Sequence, residues 1–245
     1  LVGSEMCIRD SPDARGLSLS FDKLALQPGD RLYLFDPARK QVLGAFTSES
    51  NPDGGVFGTN PIAGNSLIIQ YEPAGALADI QLKQLGYFFE SVAAPQNIPG
   101  EGASGVCNVN VNCPEGADMQ DVKNGIVQIV VVLHGNIAFC SGTLVNNTNG
   151  DWRPLIMTAH HCTFYKDILS GKVMNASEED FRQWVFNFHY ERPECANNQW
   201  IGEQAYSISG AKCLALSPMD HGSDGLLVEA LTPIPCLLYT SPSPR

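Results

Sequence analysis

Basic residues are scarce in this sequence: 15 Lys and Arg stand against 26 Asp and Glu, a net charge of −11 at pH 7. Such a chain repels polyanions, so neither nucleic acid nor an anionic membrane surface is an expected partner. Long apolar runs are missing too, and none approaches the roughly 18 residues that a membrane-spanning helix needs. The sequence holds no Cys-x-x-Cys pair and no His-Glu-x-x-His, the spacings that gather zinc ligands. No metal and no other cofactor is therefore expected. Strands never alternate with helical patterns in βαβ fashion, which argues against a parallel sheet, and no internal repeat is visible.

What is present begins with two termini that read as foreign. Met6-Cys7-Ile8-Arg9-Asp10 is the translation of AGATGTGTATAAGAGACAG, and Cys236-Leu237-Leu238-Tyr239-Thr240-Ser241 translates its reverse complement. Both strands of one string at opposite ends of a gene look like a transposon end used in preparing sequencing libraries. Residues 1–11 and 236–245 are accordingly set aside as adapter sequence, and residues 12–235 are expected to be an internal fragment of a longer protein. Removing the ends takes away Glu5, Asp10, Arg9 and Arg245, so the charge balance is unchanged. It leaves Cys107, Cys113, Cys140, Cys162, Cys195 and Cys213, all beyond residue 105. Cysteines in this number, without ligand spacing, read as disulfides, and disulfides imply export to an oxidising compartment. A secreted, extracellular location is expected.

A composition break near residue 100 divides the remainder. Residues 93–104, with Pro95, Pro99, Gly100 and Gly102 and no apolar periodicity, form a linker. Before it, β-rich runs at 17–21, 31–35, 42–47, 66–71 and 80–89 are punctuated by Pro28-Gly29-Asp30, Asp36-Pro37 and Asn51-Pro52-Asp53-Gly54-Gly55. Short strands at this spacing predict a small antiparallel sandwich over residues 12–92. That segment has no histidine and no cysteine, so a binding, folding-assistant or structural role is expected of it. After the linker, strands are predicted at 126–133, 138–145, 155–158 and 184–190, with one helical turn at 178–184 that Ser177 would cap. The pattern predicts an antiparallel barrel over residues 105–235.

The chemistry concentrates in Phe139-Cys140-Ser141-Gly142-Thr143-Leu144-Val145 and Leu155-Ile156-Met157-Thr158-Ala159-His160-His161-Cys162, separated by a polar turn. Two adjacent strands with a cysteine on each would be stapled beside the final histidine. An imidazole fixed in that way suits a general base, which must stay within hydrogen-bond reach of its nucleophile.

These segments resemble the chymotrypsin superfamily of serine proteases, whose first barrel carries a C-[ST]-G-[ST]-L-[IV] strand followed by T-A-x-H-C. More closely, the chain is similar to the bacterial lysyl endopeptidase branch. That similarity rests on Gly105-Val106-Cys107-Asn108-Val109-Asn110-Val111-Asn112-Cys113-Pro114-Glu115-Gly116, on Leu144-Val145-Asn146-Asn147-Thr148 and on Thr158-Ala159-His160-His161-Cys162. It covers roughly residues 105–231.

The resemblance implies an all-β protein: a sandwich pro-region, then the first antiparallel barrel of a chymotrypsin-like double barrel, the second barrel lying outside the fragment. It makes His161 the general base of a His–Asp–Ser triad, with His160 at a position usually held by a small residue. The family's aspartate sits in a D-x-x-L-L-x-L setting. Ser223-Asp224-Gly225-Leu226-Leu227-Val228-Glu229-Ala230-Leu231 fits that setting with its apolar residues one place long. Asp224 is therefore expected to orient His161, with Asp220 the competitor. His134, His189 and His221 are expected to be ordinary strand or surface residues. The family's serine comes later, in a G-[DN]-S-G-[GS] loop, so this fragment is expected to be inactive and its substrate preference unreadable. Of the disulfides, Cys140–Cys162 is expected from the paired strands, and Cys113–Cys195 is carried over from the resemblance. Cys107 would pair outside the fragment, although a Cys107–Cys213 bridge stays open. Residues 12–92 more loosely resemble pro-regions of secreted bacterial proteases and would assist folding and keep the enzyme silent. Residues 93–105 contain no lysine or arginine, so self-cleavage there by a strictly lysine-specific enzyme is not expected. Protein or peptide substrates and a monomeric state are expected. A catalytically dead homologue serving as an extracellular binding module is the competing reading.

Limited proteolysis is expected to cut first between residues 93 and 104, with both flanking segments surviving as discrete bands. Earlier cleavage inside 17–89 would contradict a separate amino-terminal domain.

Overall fold

Alternating apolar positions organise both halves of the chain. The computed structural model describes residues 4–8, 13–88, 109–166, 170–195, 206–235 and 238. The protein is all-β apart from short helical turns and divides into two compact units, Leu1–Gly102 and Ala103–Arg245. The expected linker at 93–104, together with Cys107, lies outside the described residues.

The first unit contains β1 (Ser4–Ile8), β2 (Gly16–Ala25), β3 (Arg31–Phe35), β4 (Val42–Phe46), β5 (Phe57–Gly58), β6 (Ile62–Ala63), β7 (Leu67–Glu72) and β8 (Asp79–Phe88). One sheet runs β1-β7-β3-β4; in the other, β2 pairs with β5, β6 and β8. Leu32 and Leu34 of β3 and Leu67, Ile69 and Tyr71 of β7 alternate inward and share one core with Leu17, Leu19, Phe21 and Leu24 of β2. Each such side chain contributes about 1.5–3 kcal/mol through burial. Buried Asp30 ties the β2–β3 turn to the loop after β7, accepting from the amides of Gln27 and Ala74 and from the Tyr71 hydroxyl. Burial alone would raise its pKa, but the hydrogen bonds from Ala74, Gln27 and Tyr71 outweigh that and hold it below the ordinary value. Residues 1–11, set aside on sequence grounds, nevertheless supply β1, in antiparallel register with β7 from Ser4 opposite Tyr71 to Ile8 opposite Leu67. Backbone pairing requires no particular side chains, so an open sheet edge accepts any extended segment.

The second unit contains β9 (Ile126–Leu133), β10 (Asn136–Val145), β11 (Leu155–Ala159), β12 (Phe164–Lys166), β13 (Val173–Asn175), α1 (Glu178–Phe181), β14 (Val185–Phe188), β15 (Tyr206–Ser209), β16 (Ala211–Ser217) and β17 (Gly225–Ala230). Seven of the strands form a sheet in the order β15-β14-β9-β10-β11-β17-β16. Its two edge strands are one continuous segment, bent at Gly210, so the sheet curls into a half-barrel. Gly210 has φ of +86°, its amide donates to Trp184 O, and its carbonyl accepts from the amide of Leu231. That left-handed backbone favours glycine, and a Cβ there would press on Leu231 Cδ1 at 2.9 Å. Val127, Ile129, Val131 and Leu133 alternate into the barrel core with Trp184, Phe186, Phe188, Ile156 and Val228. Leu238, in the second segment set aside, is buried against this cluster as well.

Turn chemistry agrees with this packing. His134 and Gly135, both at positive φ, make the two-residue hairpin between β9 and β10. Ser177 caps α1 in a capping box whose N3 residue is Asp180, and the Asp180 carboxylate also accepts from the amide of His134.

A buried glutamate with two exposed cations ties together the strands nearest the site. Glu229 of β17 accepts two hydrogen bonds from Arg153, at 2.9 Å each, and lies 2.8 Å from Lys212 Nζ on β16. The hydrogen bond from Arg153, then that from Lys212, hold its carboxyl down to about 2 despite burial. The folded value lies below the ordinary 4.5, so the unfolded chain takes up the proton first on acidification. The stabilisation is full above about 4.5 and drains away down to about 2. Glu229→Gln is expected to cost about 2 kcal/mol at neutral pH and to flatten the fall of thermal stability between about pH 5 and pH 2. Thermal unfolding scans check this, and an unchanged acid slope in the variant would contradict it.

Candidate active site

The site is assembled by the two neighbours of β11. On one side β10 pairs with it through Thr143 opposite Met157 and Val145 opposite Leu155. The packing at Gly142 is tight: a Cβ would lie 3.0 Å from Ile129 Cδ1, Ile156 Cγ2 and Met157 O alike, so a side chain there would need its neighbours to give way. Beyond Ala159 the chain leaves the sheet and closes a 3-10 turn, His160–Thr163, in which the Thr163 hydroxyl donates to His160 O. The disulfide Cys140–Cys162 anchors this turn to β10, with Cα atoms 6.4 Å apart. Thr158 adds a second tie, its hydroxyl donating to Ser141 O at 2.7 Å.

On the other side of β11 lies β17, with Ala159 opposite Gly225. Asp224, one residue earlier, therefore stands beside the histidine pair. Its φ of +53° is left-handed, a conformation that aspartate tolerates better than most residues. Its carbonyl accepts from the amide of His160 at 3.0 Å. Its Oδ1 accepts from the amide of His161 at 3.0 Å, and its Oδ2 lies 2.7 Å from His161 Nδ1. An ionised carboxylate can only accept, so the proton belongs on Nδ1, and the neutral ring presents the lone pair of Nε2 outward. The hydrogen bond from the His161 ring, opposed by partial burial and reinforced by the His161 amide, holds the Asp224 carboxyl below its ordinary value.

His161 faces open space, its side chain 55% exposed against 29% for Asp224. It opens on a surface depression lined by Gln128, Phe139, Cys140, Ser141, Ala159 and Cys162. Among the described residues no serine hydroxyl is hydrogen-bonded to Nε2, and no group of three or more His, Cys, Asp or Glu could hold a metal. Chemically, the arrangement is an oriented, solvent-facing base.

The other candidates lie elsewhere. Asp220 lies 3.3 Å from His221 Nε2 in an exposed pair. His160 has other partners, its Nδ1 accepting from the amide of Met219 and its ring tilted against Phe164 at 5.2 Å. His134 Nε2 is 2.6 Å from Asn175 O, and His189 Nε2 is 3.2 Å from Asn124 Oδ1. Cys113 and Cys195 form a disulfide, seconded by Asn110 and Asn112, whose side-chain amides donate to Glu194 O and Arg192 O, and by Lys123 paired with Glu191 at 2.7 Å. Cys213 is free among the described residues and exposed, and partial burial pushes its thiol up. Sequence reasoning missed the loop that delivers Asp224. Its signals were Pro218 and Gly222, a turn closed by the amide of Ser223 donating to Ser217 Oγ at 2.9 Å.

Residues 101–239 match the family model described as lysyl endopeptidase, C-terminal domain. A lysyl endopeptidase of Pseudomonas aeruginosa is 28% identical over 147 residues, covering 55% of this chain and 31% of that protein. The chain thus spans about a third of the length of the relative it matches.

Replacing Cys140 and Cys162 together by serine is expected to lower stability by about 3 kcal/mol, from the chain entropy of a loop of this length. Urea denaturation measures it, and a change under about 1 kcal/mol would show that the bridge does not hold the turn.

Proposed function

The chain belongs to the lysyl endopeptidase C-terminal domain family, and on that premise we propose that it is part of the precursor of a secreted serine endopeptidase. The observation that carries the reading is the 2.7 Å contact between His161 Nδ1 and Asp224 Oδ2, with Nε2 turned to solvent. In the proposed reaction Nε2 takes the proton of a serine hydroxyl, and that oxygen attacks the scissile carbonyl carbon. The Asp224 carboxylate stabilises the imidazolium so formed, which then passes its proton to the departing amine. Water, deprotonated by the same nitrogen, releases the acyl group and restores the serine. In this reading the hydroxyl is that of a serine on a second barrel of the longer precursor. The disulfides Cys113–Cys195 and Cys140–Cys162 suit an extracellular enzyme. The sandwich over residues 12–92 acts as a pro-region, released when the linker is cut.

The 245-residue chain itself is expected to hydrolyse no peptide substrate. A longer chain carrying the nucleophile is expected to be labelled at one serine by a phosphonylating reagent. In that chain, His161→Ala and Asp224→Asn should each lower kcat by about 10⁴-fold or more. Peptide hydrolysis assays and mass spectrometry decide the matter. A His161→Ala variant of normal activity, or a longer chain that carries no reactive serine, would contradict an enzyme and favour a binding module.

A further inference from the structure

The connection from β16 to β17 delivers Asp224, yet little burial holds it. Pro218, Met219, Asp220, His221, Gly222 and Ser223 are all exposed. The loop is closed on itself by two contacts, the Ser223 amide donating to Ser217 Oγ at 2.9 Å and the Asp224 amide to Pro218 O at 3.4 Å. It is also tight: a Cβ on Gly222 would lie 2.3 Å from Ser217 Oγ and 2.7 Å from Pro218 O. Asp224 itself sits at φ +53°, in the left-handed region that aspartate tolerates better than most residues.

Three of the ties between this loop and the 3-10 turn end on Asp224: the amides of His160 and His161 and the ring of His161. The fourth reaches the far limb of the loop, where His160 Nδ1 accepts from the amide of Met219 at 3.3 Å. The His160 ring is held for this purpose, partly buried and tilted against Phe164. His160 therefore grips both limbs, its own amide on Asp224 O and its ring nitrogen on Met219 N. The ends of the loop are held by the pairing of Ser217 with Gly225, and the Met219 contact adds a tie to the turn at the limb that Asp224 does not reach. Since an acceptor is required, Nδ1 must carry its lone pair and the ring proton sits on Nε2.

We propose that His160 is a positioning residue for Asp224: its imidazole clamps the 218–224 loop so that the carboxylate meets His161 Nδ1. The proposal rests on the reading of His161 and Asp224 as base and orienting carboxylate, and it assigns His160 no contact with substrate.

The test separates acceptor from ring. His160→Asn keeps an acceptor where Nδ1 lies and gives up the ring, while His160→Phe keeps the ring against Phe164 and removes the acceptor. Both are made in the 245-residue chain, with circular dichroism as the check on folding. Two NMR signals are read: hydrogen exchange of the Met219 amide, and the His161 Nδ1 proton shared with Asp224. The Phe variant is expected to exchange Met219 roughly tenfold faster or more and to broaden or lose the His161 proton signal. The Asn variant should stay within about twofold of the parent exchange rate and keep that signal. A Phe variant that retains both signals would overturn the proposal, as would a folded Asn variant that loses both, since the ring rather than the acceptor would then hold the loop. These readouts need no catalysis. If the clamp holds while His161→Ala leaves a longer chain active, the protease reading fails and the clamp stands.

Discussion

Backbone pairing on both sides of β11 is the constraint from which the site follows. Pairing with β10 brings Cys140 to Cys162, and pairing with β17 sets Gly225 opposite Ala159 and so Asp224 beside His161. Strand side chains alternate faces, so a slip of one residue in β17 would carry Leu226 and Val228 out of the core. The register is thus enforced by the burial of those residues. Gly142 and Gly210 serve the same constraint, the first by letting β10 lie close to Ile129 and Ile156, the second by bending one segment into both edges of the half-barrel.

Two carboxylates on or next to one strand show how environment divides labour. Glu229 is buried and faces two cations, and its pairing contributes stability that acid removes. Asp224 is partly exposed, and its partner His161 is more exposed still. An ion pair in such a place adds little to stability. What the contact with His161 supplies is direction: both carboxylate oxygens are engaged by one residue, its amide and its ring, which fixes the plane and the tautomer of the imidazole.

Much of the fold was legible because its strands bury one face. Residues 31–35 and 126–133 carry apolar side chains at alternate or successive positions and form β3 and β9 with those bounds. Ser177 ahead of Glu178, Glu179 and Asp180 announced the cap of α1. β15 and β16 were not legible, since Lys212, Cys213, Leu214, Ala215 and Leu216 are all exposed and show no alternation. At the site, the motif segments pointed to His161 and Asp224, two residues that lie 2.7 Å apart in the structure. The contact of His160 with Met219 was not legible, because it joins a side chain to a backbone amide 59 residues away. Nor was the Glu229 cluster, since a glutamate within a strand gives no sign of the cations that will face it.

The central claim is that Asp224 fixes His161 with its proton on Nδ1 and a free lone pair on Nε2. Nitrogen-15 NMR of the His161 ring in the neutral form tests this most directly, because protonated and unprotonated ring nitrogens resonate far apart. The account predicts a protonated Nδ1 coupled to a low-field proton, and an unprotonated Nε2. A ring protonated on Nε2, or one averaging between the two tautomers, would contradict it.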